Sequence, residues 1–412
     1  MMPDFNNPDS HQEKPVRFRL YGKQSSRQTS SAIVANRCRI RNFSPIQTGP
    51  PYSIFEQRSE PMQTVITELP RFLRISPGRK AMLWLLFFLI CMGLGYPTLG
   101  RYDPRSVPGL YDTRAYYAVV TGDPLQSDQS DLAQRALVPY LAKPIYWLAK
   151  GHLNTWNPVF FALLTVNSFF IATSAFLLVG ISHQVVGDYS VALVSGFVYL
   201  ANFAVANFNL SGYVDSAVNC MLIAIVWTLL AERWWLLPLW GLLGALAKET
   251  FVPLAAVFAF AWWLTACRRG ALKLSQLAYV GAMVTVGFAT LVFVMSRNSP
   301  PNTPLSFASS RLADSGAGYL YLAGLARCLL AREFIFVFAW LLPLGLWRLG
   351  RLPRTWVVAS GCAALAALAM GAYDDAQGNA TRAVFSACGP LLSLSVSFLL
   401  VGTGIHDNGR EF

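Results

Sequence analysis

The chain has 412 residues, of which 54% are hydrophobic and 13% charged, and it carries a formal net charge of +12. A soluble protein has about 25% charged residues, so this composition and a mean hydropathy of +0.41 exclude a soluble globular protein. The apolar residues form blocks of roughly 14 to 25, near the length with which a helix crosses a bilayer. They do not alternate as barrel strands do. The sequence therefore predicts an all-α, polytopic bundle of about ten transmembrane helices.

The first 75 residues differ from the rest of the chain. They are rich in Pro, Ser, Gln, Asn and Arg and have no sustained apolar period. This predicts a disordered, basic, cytoplasmic tail at 1–75, followed by the transmembrane domain at 76–412. The basic side chains suit contact with anionic membrane lipid, although a solvated tail is the simpler interpretation. Met62 is a sensible alternative start, which leaves open whether residues 1–61 belong to the protein.

The hydrophobic pattern predicts membrane helices at 81–99, 157–181, 189–207, 214–231, 235–247, 251–267, 274–295, 333–348, 355–372 and 383–402. Four basic residues precede the first of them: Arg71, Arg74, Arg79 and Lys80. By the positive-inside rule they place the N-terminus in the cytoplasm of a multi-pass protein of the plasma (inner) membrane. Alternation then puts the basic loops at 233, 268–273 and 348–354 on the cytoplasmic side as well.

Two further apolar segments complicate the count. Residues 133–152 contain Arg135, Lys143, Lys150 and two prolines, and a full crossing there would move every later basic loop to the other side. We therefore expect an amphipathic or re-entrant helix at the outer face. The same interpretation applies to residues 317–331.

This topology gathers charged residues at the outer face, and Lys248 and Glu249 are the most informative. They follow the predicted helix 235–247, whose 13 residues reach only about 20 Å. Both side chains should therefore lie below the outer surface, where an ionised group costs a few kcal/mol unless it is paired or in a water-filled cavity. Because neighbouring residues on a helix do not face each other, we expect each to have a separate partner.

Four short motifs follow one another on this face. They are YDTRAYY at 111–117 with GDP at 122–124, RALVPYL at 135–141, GYVDS at 212–216 and AKET at 247–250. With these motifs in this order, residues 80–400 resemble the GT-C superfamily of integral membrane glycosyltransferases. Members of that superfamily use a lipid phosphate-linked sugar as donor. The resemblance implies a polyprenyl-phosphate-sugar donor and an acceptor that is a glycan, a lipid or a protein, as in cell-envelope glycan synthesis.

The resemblance also implies two catalytic carboxylates. It places the general base in the first outer loop, which makes Asp112 the candidate that takes the proton of the acceptor hydroxyl. A second carboxylate, Glu249, would orient the acceptor or Lys248. On sequence alone, Asp112 is equally well explained as a loop residue that caps a turn with Thr113.

The remaining site residues would bind the substrates. Arg135, Lys248 and Arg382 are the outer-face cations expected to hold the leaving phosphate, although Arg135 and Arg382 also fit a snorkelling position at the membrane edge. The expected substrate-binding residues are Tyr116, Tyr117 and Asp215, and Asp215 is also a good helix cap.

Other functions fit the sequence less well. A secondary transporter or lipid-linked-sugar flippase would show an internal repeat with paired broken helices, and no matching second half is evident. A non-catalytic scaffold of the same fold stays open. A divalent cation on carboxylates such as Asp112 and Asp375 is compatible with the pattern, but the spacing does not require one, and the Cys and His residues have no metal-ligand spacing. The basic residues lie in the tail and at membrane edges, so no nucleic-acid partner is expected.

Overall fold

The computed structural model describes residues 76–99, 111–123, 132, 134–153, 156–267, 274–298, 318–373 and 377–401. The chain divides into two units, Met1–Pro61 and Met62–Phe412, and every described residue belongs to the second. The predicted disordered tail at 1–75 lies outside the described residues.

All regular structure within the described residues is helical, as the sequence predicted. The α-helices there are α1 (Pro77–Leu99), α2 (Tyr111–Thr121), α3 (Leu137–Ala149), α4 (Pro158–Val186), α5 (Tyr189–Leu200), α6 (Asp215–Leu230), α7 (Leu237–Ala247), α8 (Phe251–Cys267), α9 (Leu274–Asn298), α10 (Gly318–Leu330), α11 (Arg332–Phe338), α12 (Leu341–Trp347), α13 (Arg354–Tyr373) and α14 (Gln377–Val401).

Each of the ten predicted membrane segments coincides with helical structure, but the helices are unequal in length. Among the described residues, five helices are long and apolar enough to cross a membrane: α1, α4, α9, α13 and α14. The segments Ala323–Leu330 and Arg332–Trp347 are long and apolar enough to cross a membrane when taken together. They are bent by 57° relative to each other, as in a broken span or a re-entrant loop. Helices α5 to α8 are apolar but shorter. The number of ten crossings therefore remains a prediction.

The predicted continuous helix 189–207 is wrong, because α5 ends at Leu200. Beyond it, the Asn202 side chain accepts a hydrogen bond from the Ala204 amide at 2.9 Å and donates one to the Val337 carbonyl at 3.1 Å. A π-helical turn over Val205–Asn209 follows. The Asn202 side chain thus stabilises the break by satisfying a backbone amide just after it and a backbone carbonyl of α11.

Helix α4 is the central element of the described unit. The Asn157 side chain caps its start by accepting hydrogen bonds from the amides of Val159 and Phe160, and it ends at Gly187, whose φ of 79° is left-handed. Helices α1, α3, α5 and α6 all pack against it. In the most apolar 18-residue stretch of each helix, 72% of the residues are buried in α4 and in α14, but only 17% in α1 and in α9. Helices α1 and α9 therefore lie at the periphery.

The periphery of the bundle is apolar. Large hydrophobic side chains are exposed along α1 and α9, including Leu85, Leu89, Phe288 and Phe293. Helix α3 also exposes apolar residues, and the Lys143 ammonium lies 5.8 Å from the centre of the Trp147 ring. With 13 residues, α3 is about 20 Å long, too short to cross a bilayer alone. A helix is therefore present at 133–152, as expected, and its position at the outer face stays a prediction.

Candidate functional site

Arg135, just before α3, is the centre of a cluster of charged side chains. Its Nε and Nη2 atoms donate to the two carboxylate oxygens of Glu249 at 2.9 and 2.6 Å. Its Nη1 atom donates to Asp112 Oδ2 at 2.9 Å and to the Tyr116 hydroxyl at 3.0 Å. The guanidinium therefore binds two carboxylates and a phenol at once, and its two bonds to Glu249 form the bidentate pair that makes Arg–carboxylate interactions strong.

The local structure explains how Glu249 reaches Arg135. Helix α7 ends at Ala247, and Lys248 is extended, with φ −163° and ψ 140°. A β-carbon on Gly244 would collide with the Phe251 ring, so the glycine allows α8 to begin close against α7. This sharp turn places Lys248 and Glu249 between two short helices that both pack into the bundle.

Asp215 is the centre of a second group of charges. Its Oδ1 atom accepts a hydrogen bond from Lys248 Nζ at 2.8 Å, and its Oδ2 atom accepts one from Arg382 Nη1 at 2.7 Å. Asp215 and Lys248 are each only 4% exposed, so this ion pair is screened little by solvent. The Arg382 guanidinium also lies 4.6 Å from the centre of the Tyr213 ring. Asp215 thus joins Lys248 and Arg382, two cations that are 134 residues apart in the sequence.

The two groups have opposite charge. The Arg135 group contains one cation and two carboxylates, and the Asp215 group contains two cations and one carboxylate. Lys248 and Glu249 are adjacent residues and contribute one charge to each group. Counted over the described residues, the six charges cancel overall, and the site is divided into a negative part and a positive part.

Burial and ion pairing have opposite effects on the pKa of the Glu249 carboxyl. Burial alone would raise the pKa of its carboxyl, but the charge and the hydrogen bonds of Arg135 outweigh that effect and hold the pKa below its usual value. Burial raises the pKa of the Tyr116 phenol, which therefore stays neutral. Glu249 is thus an anion that accepts hydrogen bonds, and Tyr116 presents a neutral hydroxyl to Arg135.

Seven of the eight predicted site residues lie in these two groups, and the eighth lies apart. The first group contains Asp112, Tyr116, Arg135 and Glu249, and the second contains Asp215, Lys248 and Arg382. The Tyr117 hydroxyl instead accepts a hydrogen bond from Asn157 Nδ2 at 3.5 Å. The expected separate partners of Lys248 and Glu249 are confirmed. The catalytic and binding roles of all eight residues remain predictions.

The structure also bears on the alternative interpretations of single residues. Asp215 makes no capping hydrogen bond to the start of α6, since both of its oxygens accept from cations. The Arg135 side chain is 11% exposed and bonded to two carboxylates, which differs from a side chain that snorkels into water. Asp112 lies in the first turn of α2 and accepts from Arg135.

Sequence reasoning missed Asn167, which holds the segment before α6. Its Nδ2 atom donates to the Tyr213 carbonyl at 2.9 Å, and its Oδ1 atom accepts from the Ser216 hydroxyl. Asn167 is fully buried in α4, which is otherwise apolar along most of its length. A polar amide inside such a helix is the signal that would have identified it. Its two bonds hold the Tyr213 backbone and the Ser216 side chain, one on each side of Asp215.

We expect Asn167→Leu to lower the free energy of unfolding by about 1–3 kcal/mol, because the Tyr213 carbonyl and the Ser216 hydroxyl would lose their buried partner. Thermal unfolding of purified protein in detergent measures this loss. Asn207→Leu is the matched control, since among the described residues the Asn207 side chain donates only to the Phe203 carbonyl of its own turn at 3.1 Å. Equal losses in the two variants would contradict the positioning role of Asn167.

The described residues contain no group of three or more His, Cys, Asp or Glu side chains that could hold a metal ion. Asp112 and Glu249 are both directed to Arg135 instead. Asp375, the other carboxylate considered for a divalent cation, lies outside the described residues.

Comparisons with known proteins add no relative. No protein family, no curated protein and no solved structure matches the chain. A function is therefore argued from the charged cluster, the helical architecture and the four sequence motifs.

Proposed function

We propose that this chain is an integral membrane glycosyltransferase, which moves a sugar from a polyprenyl-phosphate-linked donor to an acceptor at the extracytoplasmic face. The observation that carries the proposal is the position of Arg135 between Asp112 and Glu249, next to the Lys248–Asp215–Arg382 group. Four motifs far apart in the sequence, each weak alone, supply residues to this one cluster. Such convergence is expected of an active site and is not needed to stabilise an apolar bundle.

The positive part of the cluster suits the donor phosphate. In the transfer, the bond between the anomeric carbon and the phosphate oxygen breaks, and negative charge develops on the leaving phosphate. Among the described residues, Lys248 and Arg382 both pair with the carboxylate of Asp215, so two cations meet at one anion there. Fixed cations at the position where charge develops lower the barrier more than they strengthen ground-state binding.

The negative part suits the acceptor. Asp112 Oδ2 is held by Arg135, whereas Oδ1 has no hydrogen-bond partner among the described residues. The side chains of Asp112 and Glu249 are 25% and 30% exposed, so a substrate can reach them. In the proposed step, Oδ1 takes the proton of the acceptor hydroxyl while the acceptor oxygen attacks the anomeric carbon. The electron pair of the broken bond leaves with the polyprenyl phosphate.

The proposed location is the plasma membrane, with the N-terminus in the cytoplasm. Five long apolar helices and an apolar periphery support a membrane protein. The basic residues at 71–80, before and at the start of α1, and those at 348–354 support this orientation by the positive-inside rule.

A transfer assay tests the proposed activity directly. Purified protein, shown to be folded by its unfolding transition, is incubated with radiolabelled polyprenyl-phosphate sugar and a membrane extract as acceptor. We expect the label to move from the donor lipid to a new product. If folded protein in liposomes moves the donor across the bilayer without forming a product, a flippase is the better assignment. If it does neither with a panel of donor sugars, the scaffold interpretation replaces the proposal.

Labelling of introduced cysteines tests the orientation. In a Cys362→Ser background, which removes an exposed native thiol, we expect Asp123→Cys to react with a membrane-impermeant maleimide added to intact cells. Gly350→Cys should react only after the cells are opened, and both positions are exposed. The reverse pattern would overturn the proposed orientation.

A further inference from the structure

A second candidate site lies at the opposite, basic end of the bundle. A cavity of about 550 Å³ opens between the end of α8 and the start of α13. Its walls include Thr265, Leu349, Leu352, Val357 and Val358, and Arg354 lies at the cavity as well. The Thr265 hydroxyl donates its proton to the Ala261 carbonyl of its own helix at 2.7 Å, so it cannot donate a hydrogen bond to a ligand. Among the described residues, the lining of the cavity is therefore apolar apart from Arg354 and the Thr265 oxygen.

The surroundings of the cavity are strongly cationic. Arg348, Arg351 and Arg354 occur at intervals of three residues, and the sequence has no Asp or Glu between Glu333 and Asp374. The Arg351 guanidinium lies 5.3 Å from the centre of the Phe398 ring. Arg348 Nε is buried and has no hydrogen-bond partner among the described residues. These positive charges have no carboxylate near them in the sequence, in contrast to the cluster around Arg135.

We propose that this cavity binds an anionic glycerophospholipid, with an acyl chain against its apolar walls and the headgroup phosphate at Arg354. An apolar cavity with a cationic edge is complementary to an anionic amphiphile and to neither a neutral lipid nor a free polar metabolite. Its size lies within the range of small-molecule pockets, which is about 300–1,000 Å³. Arg354 is the first residue of α13, a helix long enough to cross a membrane, so it lies where a lipid headgroup would be.

The inference rests on the proposed membrane location but not on sugar transfer. The bound lipid would lie in the cytoplasmic leaflet, across the bilayer from the Arg135 cluster. It would join α8, which begins just after Glu249, to α13 and would thereby stabilise the packing of these two helices. Failure of the transfer assay would leave this binding site untouched, and loss of lipid binding would leave the assignment of Asp112 untouched.

The test measures thermal unfolding of the full chain in a neutral detergent as phosphatidylglycerol is added. We expect phosphatidylglycerol to raise the unfolding temperature in a saturable manner and phosphatidylcholine to have little effect. Arg354→Gln should weaken the apparent affinity about fivefold, the effect of one cation near an anionic lipid surface. Arg332→Gln is the matched control, because that arginine is 80% exposed and lies elsewhere in the bundle.

A second variant tests the apolar part of the site. Val358→Trp should fill the cavity and weaken phosphatidylglycerol binding without any change of charge, whereas Val292→Trp on the exposed face of α9 should not. Unchanged affinity in both Arg354→Gln and Val358→Trp would overturn the proposal. Equal stabilisation by inorganic phosphate would reduce the site to an anion site, and saturation only by polyprenyl phosphate would replace the glycerophospholipid with the donor lipid.

Discussion

Asp112→Asn is expected to lower the rate of sugar transfer by about 10²- to 10⁴-fold, the usual contribution of a positioned general base. The asparagine carbonyl can still accept the hydrogen bond that Arg135 Nη1 donates to Asp112 Oδ2 at 2.9 Å. The amide nitrogen, however, cannot take a proton from the acceptor. The loss should therefore appear in kcat, with little change in the KM of the donor, since the donor phosphate is bound by the other part of the cluster.

Two further variants make this result specific. Asp123→Asn is the control, because Asp123 is an exposed carboxylate just after α2 that accepts from the Thr121 hydroxyl at 2.7 Å, and it should leave the rate unchanged. Glu249→Gln removes the other carboxylate on Arg135. If Glu249→Gln abolishes transfer while Asp112→Asn retains it, the base is Glu249. If neither variant loses activity, the Arg135 cluster is not the site of proton transfer.

The helical elements were largely predictable from the sequence, because long apolar blocks can satisfy their backbone groups only as helices. The break after Leu200 was not. It depends on Asn202, whose side chain reaches the Val337 carbonyl 135 residues away. A hydropathy pattern contains no information on such a contact. For the same reason, it did not show that the apolar segment at 333–348 consists of two helices, α11 and α12.

The composition of the charged site was also predictable, but its pairing was not. The shortness of the helix before Lys248 indicated that two charges lie below the surface and need partners. Which partners they have depends on packing over separations of 33 residues for Lys248 with Asp215 and 114 residues for Glu249 with Arg135. The sequence suggested that Arg135, Lys248 and Arg382 hold a phosphate, and the structure bonds each of them to a carboxylate. A bound phosphate must therefore compete with these carboxylates.

Asp215→Asn is expected to lower the free energy of unfolding by about 3–5 kcal/mol, the cost of removing one partner from a buried ion pair. The side chains of Asp215 and Lys248 are each 5% exposed, so solvent cannot replace the lost carboxylate. Lys248 and Arg382 would then be two buried cations with no anion between them. Thermal or denaturant unfolding in detergent measures the loss, and donor binding should weaken in parallel because both cations would shift.

A double-mutant cycle separates ion pairing from simple packing. Adding Lys248→Met to Asp215→Asn removes one of the two cations that pair with Asp215 and replaces it with an apolar chain of similar length. We expect the double variant to be more stable than Asp215→Asn alone, because the buried Lys248 charge, which has lost its carboxylate in Asp215→Asn, would be absent. If the losses in free energy of unfolding of Asp215→Asn and Lys248→Met simply add in the double variant, the two residues do not interact. The positive part of the site would then not depend on Asp215. If the cycle shows coupling but donor binding is unchanged, the pair stabilises the fold only, and the donor phosphate must bind elsewhere.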